Sequence, residues 1–316
     1  MTDHPDQNQG VKSRFNITLQ TISFSHYNEK ARWALDYYRV PYVEHKMLPA
    51  LHGFTMFWYR SKEPGFEETP YVTPFMMAVP TEKVSGKAAK PIRLHDSTKI
   101  VEFASDQFAS QPGSIPANLY TNDPATKEKI LALEERIDIM VGTHVRRWLY
   151  YELLFKSPRS VTRGLGKHGN AAKLQSWLWP VVLPIFSLFL RNHLNITKET
   201  AAESKDIIRR EFEDLSRMLE ESGRSAGGSP SYFFENRFTA ADLTFACLGG
   251  VMVGVNHEHG YGAWLPPLTQ LRPEAQAFTE ELRQTTAGKH ALECYRLHRG
   301  SKAPGSSYGT SLFGLW

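Results

Sequence analysis

A serine and a tyrosine stand where a helix is predicted to begin, and their hydroxyl groups could stabilise a bound anion. Ser25 and Tyr27 follow a strand-like segment, Phe15 to Ile22, and precede apolar residues at helical spacing from Ala31 onward. Free backbone N–H groups and the helix dipole favour negative charge at a helix N-terminus. We therefore expect Ser25 to hydrogen-bond a thiolate or hydroxyl of a bound ligand. A serine here is also a common N-cap, so a purely structural role stays open.

Two further pairs of residues stand at informative places in the same half of the chain. Thr73-Pro74 opens an apolar strand. Because proline cannot donate to a sheet ladder, we expect a special bend there, with a cis peptide bond. Asp96-Ser97 precedes a predicted helix, and either side chain can supply the N-cap oxygen. Both pairs therefore have a structural interpretation that needs no ligand.

Metal and nucleotide chemistry find little support in the sequence. His257-Glu258-His259 has the residue types of a metal site, but no further ligands follow at a usable spacing, so we expect no metal. A Gly-rich phosphate loop, a Gly-x-Ser-x-Gly elbow and a His-Glu-x-x-His motif are all missing from the sequence. Catalysis by these familiar devices is thereby excluded.

Composition indicates a globular protein of two domains. The chain has 316 residues, 41% hydrophobic and 12% aromatic, with a net charge of +4 and no basic block, so a nucleic-acid partner is not expected. Only two cysteines are present, which argues against a disulfide framework and for a reducing compartment. Residues 1–14 are polar and predict a disordered tail rather than a signal peptide.

The first half of the chain alternates strands and helices. A helix from His26 to about Arg39 separates the first strand from a second, Tyr42 to Met47, and this β-α-β order predicts a parallel pair. An aromatic-rich, irregular segment follows, with one short helix expected near Thr55. Then come the strand that contains Pro74, a hairpin turn over Glu82 to Lys90, a returning strand and a helix. The returning strand is Ile92 to Leu94, and the helix after it runs from about Thr98 to Gln107.

Beyond Pro124 the periodicity is helical throughout. One stripe of apolar side chains comprises Ile130, Leu133, Ile137, Val141, Val145 and Trp148. Thr239 and Asp242 have the spacing of a capping box that opens a helix apolar on all sides, which predicts burial. Ser160 to Lys173 is expected to be a mobile connection. The last helical stretch, from about Glu274 to Arg299, is expected to break near Gly288.

The most apolar run, Trp177 to Leu190, bears on membrane contact. It is about 14 residues long and contains Pro180 and Pro184. A membrane-spanning helix needs roughly 20 apolar residues, so we expect no transmembrane segment. A buried or half-buried helix is favoured, and contact with a membrane surface is the second interpretation.

The order of these parts resembles the cytosolic glutathione transferases. Ser25 through Leu35 resembles their first helix, Thr73-Pro74 their cis-proline element, and Asp96-Ser97 their acidic-plus-serine pair. Thr239 to Asp242 resembles the capping box of their second domain. The Ser-His-Tyr-x-Glu-Lys-Ala-Arg motif and the ending from Thr286 resemble a bacterial-type subgroup. The resemblance implies an α/β thioredoxin-like N-terminal domain over 15–110, a linker over 111–124, an all-α C-terminal domain over 125–300 and a tail over 301–316.

The resemblance also implies an activity, namely conjugation of the glutathione thiolate to electrophilic, apolar small molecules in detoxification. Glutathione would be the co-substrate, held by Asn28, Thr73, Pro74, Asp96 and Ser97. Ser25 or Tyr27 would stabilise the thiolate, without attacking the substrate itself. The acceptor pocket would use Arg146, Trp148 and Tyr150, although Trp148 equally suits the core. A cytoplasmic homodimer is expected.

One departure from the subgroup leaves other functions open. Many members of the subgroup have cysteine where this chain has Asn28, and the first domain contains no cysteine, which argues against a Cys-based redox cycle. A non-catalytic binding or regulatory protein with the same fold is the main alternative. A glutathione-dependent reductase or peroxidase is a third, because a bound glutathione thiolate could still reduce a peroxide.

Overall fold

The computed structural model describes residues 14–62, 71–84, 87–109, 117–225, 231–234 and 236–309. The predicted N-terminal tail before residue 14 lies outside the described residues. So do positions 111–116 of the predicted linker, the tip of the predicted hairpin at 85–86 and the last seven residues of the predicted C-terminal tail.

A mixed sheet forms the N-terminal part, as the alternation of strands and helices predicted. The first four elements are β1 (Phe15–Ile22), α1 (His26–Tyr37), β2 (Tyr42–Met47) and α2 (Leu51–Lys62). They are followed by β3 (Phe75–Pro80), β4 (Lys83–Val84), β5 (Lys87–Ala88), β6 (Ile92–Leu94) and α3 (Ser97–Phe108). Strands β1 and β2 are parallel, with Ile17 opposite Tyr42, whereas β3 is antiparallel to both β1 and β6. Strands β4 and β5 form a separate hairpin.

Helices make up nearly all of the C-terminal part. In chain order they are α4 (Pro124–Arg136), α5 (Thr143–Tyr150), α6 (Arg159–Leu165), α7 (Lys173–His193), α8 (Lys198–Ser225), α9 (Ala240–Gly250), α10 (Pro273–Gln284) and α11 (Thr286–His298). Two π-helical stretches, Ile137–Gly142 and Tyr151–Lys156, join α4 to α5 and extend α5. All six side chains of the predicted apolar stripe are buried. The α/β plus all-α architecture is therefore confirmed.

The predicted capping box is present at the start of α9. The buried carboxylate of Asp242 accepts hydrogen bonds from the Thr239 N–H at 2.9 Å and the Thr239 hydroxyl at 2.6 Å. The Phe233 N–H and the His290 ring also donate to it, at 3.1 and 3.0 Å. Every residue of α9 is buried, as its apolar surface on all sides predicted.

One local prediction was wrong and another was confirmed. The segment from Ser160 to Lys173 is not merely a connection, because α6 occupies its first part and buries Val161 and Leu165. The predicted break of the last helical stretch near Gly288 is confirmed, and it lies at Thr285. There the Thr285 side chain caps α11 by accepting from the Gly288 N–H at 2.9 Å. The new helix begins at this threonine because its side chain satisfies a free N–H in the first turn.

The C-terminal segment returns to the first domain. Strand β7 (Ser307–Tyr308) pairs in parallel with β2, and the Gly309 N–H donates to the Glu44 carbonyl at 2.8 Å. The complete sheet therefore has the order β6-β3-β1-β2-β7. Residues 307–309 of the predicted tail thus join the N-terminal sheet.

Helix α7 is longer than the apolar run that predicted it. It has 21 residues, and by length and composition alone it could cross a membrane, with 28% of its most apolar window buried. One face, including Trp179, Leu183, Phe186 and Leu190, packs into a cluster with Leu48, Leu51 and Ile196. The prediction of a half-buried helix is confirmed.

Candidate functional site

Ser25 occupies the N-cap position of α1 but does not cap it with its side chain. Its backbone is extended, with φ −74° and ψ 128°, and its carbonyl accepts from the N–H groups of Asn28 and Glu29. The hydroxyl makes no capping hydrogen bond, so it is available at the positive end of the helix dipole. This placement fits a hydroxyl that addresses a ligand.

A cavity of about 320 Å³ opens beside Ser25, between the two domains. Phe24, Ser25 and His26 form its wall on the N-terminal domain. The opposite wall comes from α5 and the π-helical stretch after it, with Arg146, Leu149, Tyr150 and Leu153. The remaining wall is largely apolar and includes Val251, Val255, Leu265 and Leu268. Polar side chains also come from this part of the wall, including Glu258 and Arg283. A largely apolar cavity with a few polar groups is the usual form of a small-molecule site.

Arg146 supplies positive charge to this cavity. Its guanidinium lies 5.8 Å from the centre of the Tyr27 ring, and among the described residues no carboxylate forms an ion pair with it. Burial, with the charge of Arg146 second, lowers the pKa of His26 to about 3. His26 is therefore neutral, and its Nε2–H donates to the Gly142 carbonyl at 3.0 Å. Arg146, unlike the neutral His26, is therefore suited to stabilise a negative charge in the cavity.

Tyr27 has a different partner from the one its predicted role requires. Its hydroxyl donates to the Asp138 carbonyl at 2.8 Å, and its ring packs on Gly142, where a Cβ atom would overlap it. The single hydroxyl proton is therefore used within the protein. Sequence reasoning missed this contact because the two residues that form it are 111 positions apart.

Asn28, Thr73 and Pro74 come together, as their predicted common role requires. The Thr73-Pro74 peptide bond is cis, which confirms that prediction. The buried Asn28 side chain donates through Nδ2 to the Thr73 hydroxyl at 3.2 Å, and its Oδ1 has no hydrogen-bond partner among the described residues. Asn28 therefore joins the first turn of α1 to the cis-proline bend.

Asp96 and Ser97 open α3. Asp96 is the N-cap, and its Oδ1 accepts from the Lys99 N–H at 2.9 Å. Asp96 is exposed, whereas Ser97 is buried. Asp96 is thus the N-cap of α3, and its carboxylate is exposed to solvent at the start of that helix.

The three residues predicted for the acceptor pocket separate into two groups. Arg146 and Tyr150 line the cavity, and burial raises the pKa of the Tyr150 hydroxyl. Trp148 is buried in the core instead, where its ring meets Phe278 edge to face at 5.3 Å. Residues 146 and 150 are one helical turn apart, so they share a face that Trp148 does not.

Two buried ion networks hold α1 in place beneath the site. On one side Lys30 Nζ lies 3.2 Å from both Glu134 and Asp138 of the second domain. On the other side Arg32 pairs with Glu29 and with Glu44 of β2. The charged residues of the helix motif therefore have a structural function, which is to fix the helix that presents Ser25.

Part of the cavity wall had no sequence signal. The segment from Val251 to Leu271 is irregular, so periodicity could not assign it a face. Its Pro266-Pro267 pair indicates only that it is not helical. Within this segment His257 contacts the Tyr261 carbonyl and His259 contacts Asn256. No group of three or more metal-ligating side chains converges among the residues that the structure describes.

No protein-family model and no curated protein sequence matches the chain. Solved structures do. Ure2p in complex with S-hexylglutathione is 13% identical, with 89% of this chain and 100% of that chain covered and a TM-score of 0.50. The fold is that of the glutathione transferases. The β-etherase LigF from Sphingobium is 14% identical (88% and 99% covered, TM-score 0.49). A glutathione transferase from Populus trichocarpa is also 14% identical (89% and 99% covered, TM-score 0.45).

Proposed function

We propose that this protein binds glutathione and conjugates its thiolate to electrophilic, apolar small molecules. The observation that carries the proposal is the uncommitted hydroxyl of Ser25 at the N-terminus of α1, on the edge of a largely apolar cavity. The fold supports it, because a structure with this fold was solved with S-hexylglutathione bound. We also propose that the protein belongs to the bacterial-type subgroup with the Ser-His-Tyr-x-Glu-Lys-Ala-Arg motif.

Ser25 would act by stabilising the glutathione thiolate. Its O–H donates a hydrogen bond to the sulfur, and the α1 dipole and the Arg146 charge favour the anionic form, so the thiol proton is released to water. The thiolate attacks an electrophilic carbon, a C–S bond forms, and the leaving group departs with its electron pair. The hydrogen bond to Asp138 commits the Tyr27 proton elsewhere, so we assign this role to Ser25.

The rest of glutathione would extend along the first domain. Thr73, next to the cis peptide bond, would pair its backbone with the cysteinyl unit of glutathione, and Asn28 would hold the Thr73 side chain. Asp96 and Ser97 would receive the γ-glutamyl amine and carboxylate at the start of α3. Arg146 and Tyr150 would face the acceptor. In keeping with the fold, the protein would act as a cytoplasmic homodimer in detoxification.

A second candidate function is glutathione binding without turnover. It is favoured by the hydrogen bond that commits the Tyr27 hydroxyl to Asp138, because only one of the two predicted thiolate partners is then free. It is favoured also by the buried amide of Asn28 where the subgroup has a cysteine. Such a protein would use the same ligand site as a binding or regulatory module.

Retention on immobilised glutathione, followed by turnover of a halogenated nitroaromatic, tests both functions. Retention with halide release and a glutathione conjugate is expected for the transferase. Retention without a conjugate would support the binding protein. A chain that is neither retained nor active would exclude both.

A further inference from the structure

Helix α7 exposes a continuous apolar face on the side opposite its buried face. Leu174, Trp177, Val181, Ile185 and Leu188 follow one another at intervals of three and four residues, so they share one side of the helix. Trp177, Val181 and Ile185 are 74, 70 and 73% exposed. Single exposed apolar residues are common, but an apolar stripe along a whole helix marks an interaction surface.

The chain segment that carries this face has positive charges and no negative ones. From Leu153 through Lys198 the sequence contains no aspartate or glutamate. The same segment contains seven lysines and arginines, all exposed: Lys156, Arg159, Arg163, Lys167, Lys173, Arg191 and Lys198. None of the seven forms an ion pair with a residue that the structure describes. The surface therefore combines apolar side chains with unpaired positive charge.

We propose that this face of α7 docks on an anionic lipid bilayer. An apolar helix face with tryptophan, bordered by lysine and arginine, suits the boundary between headgroups and acyl chains. Each lysine or arginine near an anionic leaflet adds attraction that the apolar face alone lacks. The inference goes beyond the proposed function and does not depend on it.

The geometry favours a helix that lies on the bilayer over one that spans it. Spanning would remove Trp179 and Leu183 from their cluster and break the hydrogen bond from Trp179 Nε1 to the Thr162 carbonyl, 3.0 Å long. A second copy of the chain is disfavoured as the occupant of the face. In a twofold contact each cationic segment would meet the same segment of its partner, and like charges would repel.

Vesicle sedimentation tests the proposal with the full chain. Binding to phosphatidylcholine vesicles containing phosphatidylserine is expected, with little binding to phosphatidylcholine alone and release at high salt.

The double variant Trp177→Asp, Ile185→Asp should bind the vesicles at least about tenfold more weakly, because two exposed apolar side chains become charged. A second variant, Lys173→Glu with Arg191→Glu, should lose the preference for phosphatidylserine. Leu297→Asp and Lys289→Glu, on α11, are the matched controls and should bind normally.

A positional measurement ties binding to α7. Brominated lipid should quench part of the tryptophan emission, and Trp177→Phe should remove that part while sedimentation persists. Failure of the wild-type chain to bind phosphatidylserine vesicles at low salt would overturn the proposal. So would unchanged binding by the double variant, resistance to alkaline carbonate extraction, or a dimer that the double variant converts to monomers without any vesicle binding.

Discussion

At the scale of single residues, the start of α1 directs four consecutive polar side chains to four different surroundings. Ser25 lines the cavity, and its hydroxyl makes no capping hydrogen bond. The His26 ring donates to the Gly142 carbonyl, the Tyr27 hydroxyl to the Asp138 carbonyl and the Asn28 amide to the Thr73 hydroxyl. The sequence shows four polar side chains in four positions, and it does not show which partners they have in the folded protein. Partners from distant parts of the chain occupy His26, Tyr27 and Asn28, and this is why the proposal assigns the thiolate to Ser25.

Substitution of Ser25 separates catalysis from capping. Because its hydroxyl makes no capping hydrogen bond, Ser25→Ala should leave the thermal midpoint nearly unchanged but lower kcat/KM for conjugation by about 10²-fold or more. Tyr27→Phe, which removes a structural hydrogen bond, should have the opposite pattern, with a lower midpoint and a smaller effect on rate. An unaltered rate in Ser25→Ala would move the thiolate to another partner.

His26 predicts a pH dependence of stability. Its pKa is about 3 in the folded protein because of burial, against roughly 6.5 in an unfolded chain. Between these values the unfolded chain binds a proton that the folded chain does not, so the free energy of unfolding falls as pH drops below about 6.5. The slope approaches roughly 1.4 kcal/mol per pH unit. Urea unfolding at several pH values should show a shallower decline in His26→Phe, and equal slopes would contradict the assignment.

At the scale of elements, α1 is central because nearly all of its surface is covered. Ten of its twelve residues are buried, and its neighbours include α3 in one domain and α9 in the other. Burying charged residues on such a helix is costly unless each is paired, and Lys30 and Arg32 have carboxylate partners on either side. The position of Ser25 is therefore set by packing from both domains.

The π-helical stretch Ile137–Gly142 supplies the surface on which the start of α1 rests. A Cβ atom on Gly142 would overlap the Tyr27 hydroxyl, so Gly142→Ala should cost about 1–3 kcal/mol in the free energy of unfolding. Adding Tyr27→Phe should recover part of this loss, since the overlapped oxygen is gone.

Gly53→Ala in α2 is the control. A Cβ there meets no atom within 4 Å, so it should be neutral or stabilising by up to about 1 kcal/mol. Chemical denaturation measures all three, and equal effects at the two glycines would refute the contact.

Elements were predictable from sequence wherever local pattern determines structure. The second strand, Tyr42–Met47, and the capping box of Thr239 and Asp242 were located to the residue, because alternation and cap chemistry are local. The wall from Val251 to Leu271 and the pairing of β7 with β2 were not, because both depend on contacts between distant segments. The core position of Trp148 was left undecided for the same reason.

At the scale of the whole molecule, the C-terminal segment ties the helical domain to the first domain. The buried guanidinium of Arg299 pairs with Glu29 at 2.9 Å and with Asp36 at 3.0 Å. Lys302 lies 3.3 Å from Glu44, and the Ala303 N–H donates to Asp36 at 2.8 Å. Three carboxylates of the first domain thus depend on residues from the other end of the chain.

Removing one of these cations should destabilise the whole molecule. Arg299→Met would leave the buried Asp36 with no cationic partner among the described residues and would remove one of the two that pair with Glu29. We expect a loss of about 3–5 kcal/mol in the free energy of unfolding. Arg296→Met, on the same helix, removes an exposed pair with Glu293 and should lower the free energy of unfolding far less, because solvent screens an exposed ion pair. Urea unfolding of both variants measures the difference, and similar losses would argue against a structural role for the Arg299 pairs.

The pairing of β7 with β2 also has a consequence for synthesis on the ribosome. Residues 299–309 are translated after nearly all of both domains. Until then the outer edge of β2 in the nascent first domain is uncovered. Glu29, Asp36 and Glu44 also lack their contacts with Arg299, Lys302 and Ala303 during this time. An uncovered strand edge is a template for pairing with other chains. Products of premature termination before Arg299 should therefore be substrates for chaperones and proteases, even though they contain every residue predicted to contact glutathione.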